Sequence, residues 1–160
     1  MSRDWLFSDE KNVCGFRTAG VLIRDNSLLV QRDRDGSEYA LPGGHVKVHE
    51  TSEQSLIREF KEETGAAILC ERLIWVEETF WKWGNKDAHT IAFYYLIKLA
   101  DDADISDNYV EANKDNSKVI LEWIPISEIG QKTVYPDFLA KKICNISSSI
   151  EHFISIEQSI

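Results

Sequence analysis

Three glutamates within five residues, Glu59, Glu62 and Glu63, are the side chains in this sequence best spaced to do chemistry. They lie in the stretch GGHVKVHETSEQSLIREFKEETGA, from Gly43 to Ala66. On an α-helix each residue turns 100° and rises about 1.5 Å, so with Glu59 at 0° Glu63 falls at about 40° and Glu62 at about −60°. The carboxylates then share a sector of roughly 100°. Leu56, Phe60 and Ile57, at about 60°, 100° and 160°, form a neighbouring face able to enter a core. Like charges at this spacing are unfavourable by on the order of a few tenths of a kcal/mol when exposed, and by more when partly buried. A divalent cation removes that cost. Magnesium and manganese take carboxylate oxygens, and magnesium accepts substrate phosphates as further ligands. The plain alternative is a solvated acidic face partly neutralised by Arg58 and Lys61.

The segment has the ends of a helix. Thr51 is a capping residue with Gln54 three positions later, and Gly65 stands where a left-handed residue closes a helix, which predicts a helix over 52–64. Phe16 to Arg24 and Leu28 to Gln31 read as strands around an Asp25-Asn26-Ser27 turn. Two long strands are expected over 67–81 and 89–99, with Gly84-Asn85 in their connection. A polar, irregular excursion follows over 101–118, then a strand over 119–124 and a short turn or helix around 127–129. Leu139, Ile143, Ile146, Ile150 and Phe153 recur at spacings of four, three, four and three, which predicts a C-terminal helix over about 136–153 packed on the sheet. This order of elements indicates an α/β domain with a mixed sheet. It is not a Rossmann pattern, since no GxGxxG occurs.

The chain has 160 residues, 43% hydrophobic and 28% charged, ordinary values for one globular domain. A formal net charge of −9 excludes a nucleic-acid polymer as partner, because no basic stripe offsets the repulsion. A small phosphorylated ligand stays compatible if metal ions offset the charge. No apolar run is long enough to span a membrane. MSRDWLFSDEKN begins with acidic residues where a signal peptide carries basic and then apolar ones, so a cytoplasmic location is expected. Cys14, Cys70 and Cys144 are scattered and odd in number, so they read as free, buried or half-buried thiols rather than a zinc site or disulfide framework.

Gly44, five residues, Glu50, seven residues and then REFKEETGA from Arg58 to Ala66 resemble the signature of the Nudix hydrolases, G-x5-E-x7-R-E-U-x-E-E-x-G-U, where U is bulky and aliphatic. Seven fixed positions at residue frequencies near 6% coincide by chance roughly once in a million chains of this length, which overturns the solvated-face reading. The preceding Leu-Pro-Gly-Gly and the later Trp123-Ile124-Pro125-Ile126 are similar as well. The resemblance implies a Nudix-like α/β/α sandwich with a mixed central β-sheet, one domain over 1–160 with its signature at 44–66. It also implies magnesium-dependent hydrolysis of a diphosphate bond in a nucleoside diphosphate derivative, with manganese as a substitute ion. Nucleoside triphosphates and nucleotide sugars are the broadest expectations. A nucleotide-sensing module without turnover is the alternative, and a homodimer is compatible with either.

By the same resemblance, Glu59, Glu62 and Glu63 match metal-binding positions, with a carbonyl of Gly43 or Gly44 as a further ligand. Arg58 orients the glutamates, and Glu50 braces the loop or binds metal through water. Glu59 is the first choice for the base, ahead of Glu111 and Glu122. Phe60 and Ala66 depart from the aliphatic positions, and His49 stands where members often have glycine. Trp81, Trp83 and His89 could stack a nucleobase or simply cover the sheet. Arg17, Arg32 and Arg34 could meet phosphates, and His45 and His49 flank the glycine loop.

Overall fold

The computed structural model describes residues 3–106 and 110–157, leaving the side chains of 110–112 aside. Strand β1 (Leu6–Ser8) pairs with the long β2 (Asn12–Arg24), which turns into β3 (Ser27–Asp33). Asp25 and Asn26 both take positive φ, 49° and 60°, the two-residue turn whose twist matches its strands. Then come β4 (Glu38–Ala40), β5 (Gly43–His45) and helix α1 (Ser52–Thr64). Strands β6 (Ile68–Trp83) and β7 (Lys86–Leu99) form a hairpin through Gly84, which has φ 61°. After β8 (Val110–Ala112) follow β9 (Val119–Pro125), the one-turn α2 (Ile126–Ile129), β10 (Thr133–Tyr135), the one-turn α3 (Leu139–Lys142) and β11 (Glu151–Ile156).

The sheet runs β10-β4-β3-β2-β7-β6-β11 and is mixed: β2 and β7 are parallel at its centre, β6 and β11 at one edge, and the β6–β7 hairpin is antiparallel. Alternating side chains feed two cores. Leu22, Leu29, Ile97 and Leu121 pack under Leu56 and Phe60 of α1. On the opposite face Val21, Leu28, Trp75, Tyr94 and Ile124 pack with Ile129, Leu139 and Ile143 from the α2 and α3 side. This is the expected α/β/α arrangement. Among the described residues no helix is long and apolar enough to cross a membrane.

Three expectations are corrected. The helix over 136–153 does not form: α3 ends at Lys142, and β11 occupies the end of that range. Ser147 Oγ accepts from the Ser149 amide at 3.2 Å, and the Ser147 carbonyl accepts from Arg72 at 2.7 Å. These bonds draw the backbone away from a helical ladder. Glu151 to Ile156 then alternates half-buried and exposed residues at a strand's period of two. Ile57, expected near the core, is 37% exposed, its 160° offset carrying it past the buried stripe. Cys14 and Cys144 are exposed, and only Cys70 is half-buried.

Candidate active site

α1 is fixed at both ends by its own sequence. Thr51 Oγ1 accepts from the Gln54 amide at 3.1 Å and Gln54 Oε1 from the Thr51 amide at 3.0 Å, closing the capping box. Gly65, at φ 75°, donates its amide to the Lys61 carbonyl. Phe60 and Leu56 are fully buried, each contributing about 2 kcal/mol of apolar burial. The buried Ser55 donates to the His45 carbonyl at 3.1 Å, docking the helix on β5.

Arg58 gathers the acidic residues of the signature. Its Nε and Nη2 donate to the two oxygens of Glu50 at 2.9 and 3.0 Å, a forked pair. Its Nη1 donates to Glu59 Oε1 at 2.6 Å and to Glu62 Oε2 at 3.2 Å. Hydrogen bonding from Arg58 holds the Glu50 carboxyl below its usual range, and the bond to Glu50 pushes the Arg58 guanidinium up. Glu50 also accepts from the Lys47 amide at 3.2 Å, so it braces the loop that enters the helix. In that loop His49 takes φ 71°, a left-handed conformation that suits glycine better.

Glu63 differs from its neighbours. It is 8% exposed, and among the described residues its Oε2 has no hydrogen-bond partner. Burial is the first cause pushing its carboxyl up to about 7, opposed by the side chain of Asn113. Burial also raises Glu59, against the pull of Arg58. Gly43 and Gly44 lie on β5 opposite Ala19 and Thr18 of β2. A Cβ on Gly44 would stand 2.3 Å from the Glu59 carboxyl carbon, and one on Gly43 would stand 2.1 Å from the Thr18 carbonyl oxygen. Only glycine admits such approach. Among the described residues no three His, Cys, Asp or Glu side chains converge as a ready metal cage, since Glu59 and Glu62 turn toward Arg58.

The fallback bases fare differently. Glu122 sits on β9 between Leu121 and Trp123, both packed on the α1 side, so alternation sends it to the other face. There it pairs with Arg32 at 2.8 Å. Glu111 lies on β8 with its side chain outside the described residues. Arg34 donates to the Ser117 carbonyl at 3.0 Å, away from α1. His45 is depressed first by burial and then by the charge of Arg17. Arg17 also acts on Glu63 and lines a cleft of about 870 Å³ across the sheet, together with Trp81. Trp81 stacks on Trp83 with centroids 5.9 Å apart, while Phe80 stacks on His89 at 4.2 Å.

Two residues here were missed in the sequence. Buried Asn113 accepts from the amides of Asp115 and Asn116 at 2.9 and 3.1 Å, a turn that lays it against Glu63. Its signal was the Asn-Lys-Asp-Asn turn composition within the excursion. Glu77 is buried in the cleft, and its signal was a charged residue two positions from Trp75 on one strand face.

The NUDIX domain model matches residues 16–143. A candidate 8-oxo-dGTP diphosphatase of Mycobacterium tuberculosis is 26% identical over 132 residues, 77% of this chain and 52% of that protein. An ADP-ribose pyrophosphatase of Methanocaldococcus jannaschii is 29% identical over 122 residues, 66% of this chain and 70% of that one. The chain spans about half the length of the first curated relatives it matches, 42% and 52%. A solved NUDIX hydrolase from Nitrosomonas europaea superposes with a TM-score of 0.62 at 21% identity, covering 81% of this chain and 85% of its own. That likeness establishes the fold.

Proposed function

This chain belongs to the Nudix family, and from that premise we propose that it is a metal-dependent pyrophosphohydrolase cleaving the diphosphate bond of a nucleoside diphosphate derivative. The observation that carries this reading is the α1 cluster: three carboxylates around one guanidinium, with a fourth, Glu63, buried beside them and carrying an oxygen that no described residue pairs.

The site suits a hard divalent cation. Its donors are all oxygen, Glu63 Oε2 lacks a partner, and Gly44 leaves the Glu59 carboxylate room that any Cβ would fill. Glu59, Glu62 and Glu63 would hold the ion, with the Gly43 or Gly44 carbonyl as a further ligand, and Glu59 and Glu62 would exchange part of their contact with Arg58 for it. Magnesium, or manganese in its place, would offset the phosphate charge and acidify water.

The protein's own groups supply the rest. Arg58 keeps the glutamates oriented while its fork to Glu50 anchors it to the loop. Arg17, whose charge acts on Glu63 and which lines the cleft, offers a cation to the diphosphate. Water attacks phosphorus in line, its oxygen forms the new P–O bond and the bridging P–O bond breaks toward the departing phosphate. Glu59 takes the water's proton.

The named relatives act on an oxidised nucleoside triphosphate and on ADP-ribose, so both belong in a panel with canonical triphosphates, nucleotide sugars and dinucleoside polyphosphates. Phosphate release with magnesium and then manganese, with a phosphatase reporting monophosphate products, tests the reading. Turnover of one class is expected, with kcat/KM falling about a thousandfold in Glu63→Gln. Full turnover in that variant refutes the metal-site assignment. Silence across the panel with nucleotide-induced stabilisation favours the sensing module instead.

A further inference from the structure

The cleft beside Arg17 has a chemical polarity of its own. Among the described residues Arg17 is the one cation lining it, and its charge acts on Glu63. The rest of its charged lining is acidic, with exposed Glu38, Asp137 and Glu157 and buried Glu77, which lies in register with Arg17 two strands away. A ligand with phosphates at one end and hydrogen-bond donors at the other matches this gradient.

Glu77 is the most unusual group in the cleft. It is 3% exposed, yet among the described residues no arginine, lysine or histidine is its hydrogen-bond partner. Two hydroxyls hold it instead: Tyr94 donates to Oε2 at 2.6 Å and Ser155 to Oε1 at 2.5 Å. A carboxylate has about four lone-pair sites, so each oxygen keeps one acceptor position free. Nearby, Thr18 lines the same cleft at 1% exposure, and its Oγ1 has no partner. Thr18 is paired in register with Gly44, whose Cβ direction meets Glu59, so its hydroxyl turns to the α1 face and its backbone lines the cleft. Trp81 adds a flat wall, backed by Trp83 and fixed by its Nε1 donating to Thr90 Oγ1 at 3.3 Å.

We propose that Glu77, set by Tyr94 and Ser155, is the specificity residue of this cleft and selects a nucleobase presenting two adjacent N–H donors, the N1–H and N2-amino edge of guanine. The inference rests on the reading of the chain as a nucleotide hydrolase. Two parallel donors match a carboxylate's two oxygens as a fork. Adenine and cytosine set a ring nitrogen lone pair beside their amino group, which a carboxylate repels. Uracil and thymine flank a single N–H with two carbonyl oxygens and fit worst. Hypoxanthine keeps N1–H and loses only the amino group.

The test reads tryptophan fluorescence of the intact protein, without metal, during titration with GMP, IMP and UMP. GMP is expected to bind at least about tenfold more tightly than IMP, and UMP more weakly still. In Glu77→Gln the GMP-to-IMP ratio should collapse to within about twofold, a change that loss of a purely structural carboxylate does not produce. Equal binding of GMP and IMP by the wild-type protein overturns the proposal without any variant having to fold, as does absence of binding by all three. The hydrolase reading is judged separately. Metal-dependent turnover of guanine and uracil substrates alike defeats the specificity role and leaves the activity standing. A preserved GMP preference with no turnover of any nucleotide does the reverse.

Discussion

The molecule holds its carboxylates in two ways. On α1, charge answers charge: Glu50, Glu59 and Glu62 share Arg58, and Glu63 sits beside them with an open oxygen. Across the sheet, neutral hydroxyls hold Glu77 in a buried position. A guanidinium neutralises what it orients and can be traded for another cation. Hydroxyl donors orient a carboxylate without cancelling its charge, so it keeps its pull on a ligand's donors. The first cluster is built to exchange partners, the second to stay fixed and be read.

Removing each holder in turn tests that contrast. Arg58→Ala leaves partly buried Glu50 and Glu59 without their counter-charge, and we expect a loss of about 3 kcal/mol in chemical denaturation. A loss under about 1 kcal/mol would mean the cluster is solvated enough not to need its arginine. A comparable effect comes from pH. The folded protein holds the Glu63 proton more tightly than the unfolded chain, with a value of about 7 against an ordinary 4.5. The stability this gives is whole below about pH 4.5 and is lost as pH rises through about 7, on the order of 2–3 kcal/mol in metal-free protein. Magnesium should therefore raise Tm more at pH 8 than at pH 5.5, and Glu63→Gln should flatten the difference. A pH-independent magnesium effect would place the ion elsewhere.

The cleft should respond more quietly. Ser155→Ala removes one neutral donor from Glu77, with an expected cost of about 1 kcal/mol. A loss as large as that of Arg58→Ala would erase the distinction between the two clusters. The smallest effect belongs to the loop: His49→Gly relieves the left-handed φ of 71° and should gain about 0.5 kcal/mol after the added freedom of the unfolded chain is counted. Thermal denaturation at matched pH would detect it.

The two regions also differ in how openly the sequence declares them. Thr51, Gln54 and Gly65 announce α1 because a helix cap is written within a few residues of itself, and its observed ends are the expected ones. Asp25-Asn26 and Gly84-Asn85 announce their turns for the same reason. Arg58 meets Glu50, Glu59 and Glu62 within eight positions, so spacing alone hinted at the group. Glu77 meets Tyr94 at a separation of 17 and Ser155 at 78, and no local pattern encodes either meeting. The stripe from Leu139 to Phe153 misled because apolar residues three and four apart suit a helix, yet Leu139 and Ile143 belong to one helical turn and its cap, Ile146 and Ile150 to the connection after it, and Phe153 to a strand. Leu139 and Ile143 are buried, and Phe153 stacks on Phe138 with centroids 3.8 Å apart. Arg17 and Thr18 gained their meaning from register, which pairs them with His45 and Gly44.

The parallel seat of β11 against β6 also sets an order of events in folding. Joining Ser155 to Glu77 closes 78 positions, where joining Arg58 to Glu50 closes eight, and the longer closure costs about 2 kcal/mol more in chain entropy. Local contacts of α1 therefore form ahead of the β11 seam, as in other folds where distant pairings arrive late. On a ribosome the glutamate helix emerges while the last wall of the cleft is still unmade, and Glu77 waits there as a half-held charge. The docking of β11 is thus a closing step in time as well as in space: until it docks, the nascent chain has its carboxylate cluster but lacks a finished cleft.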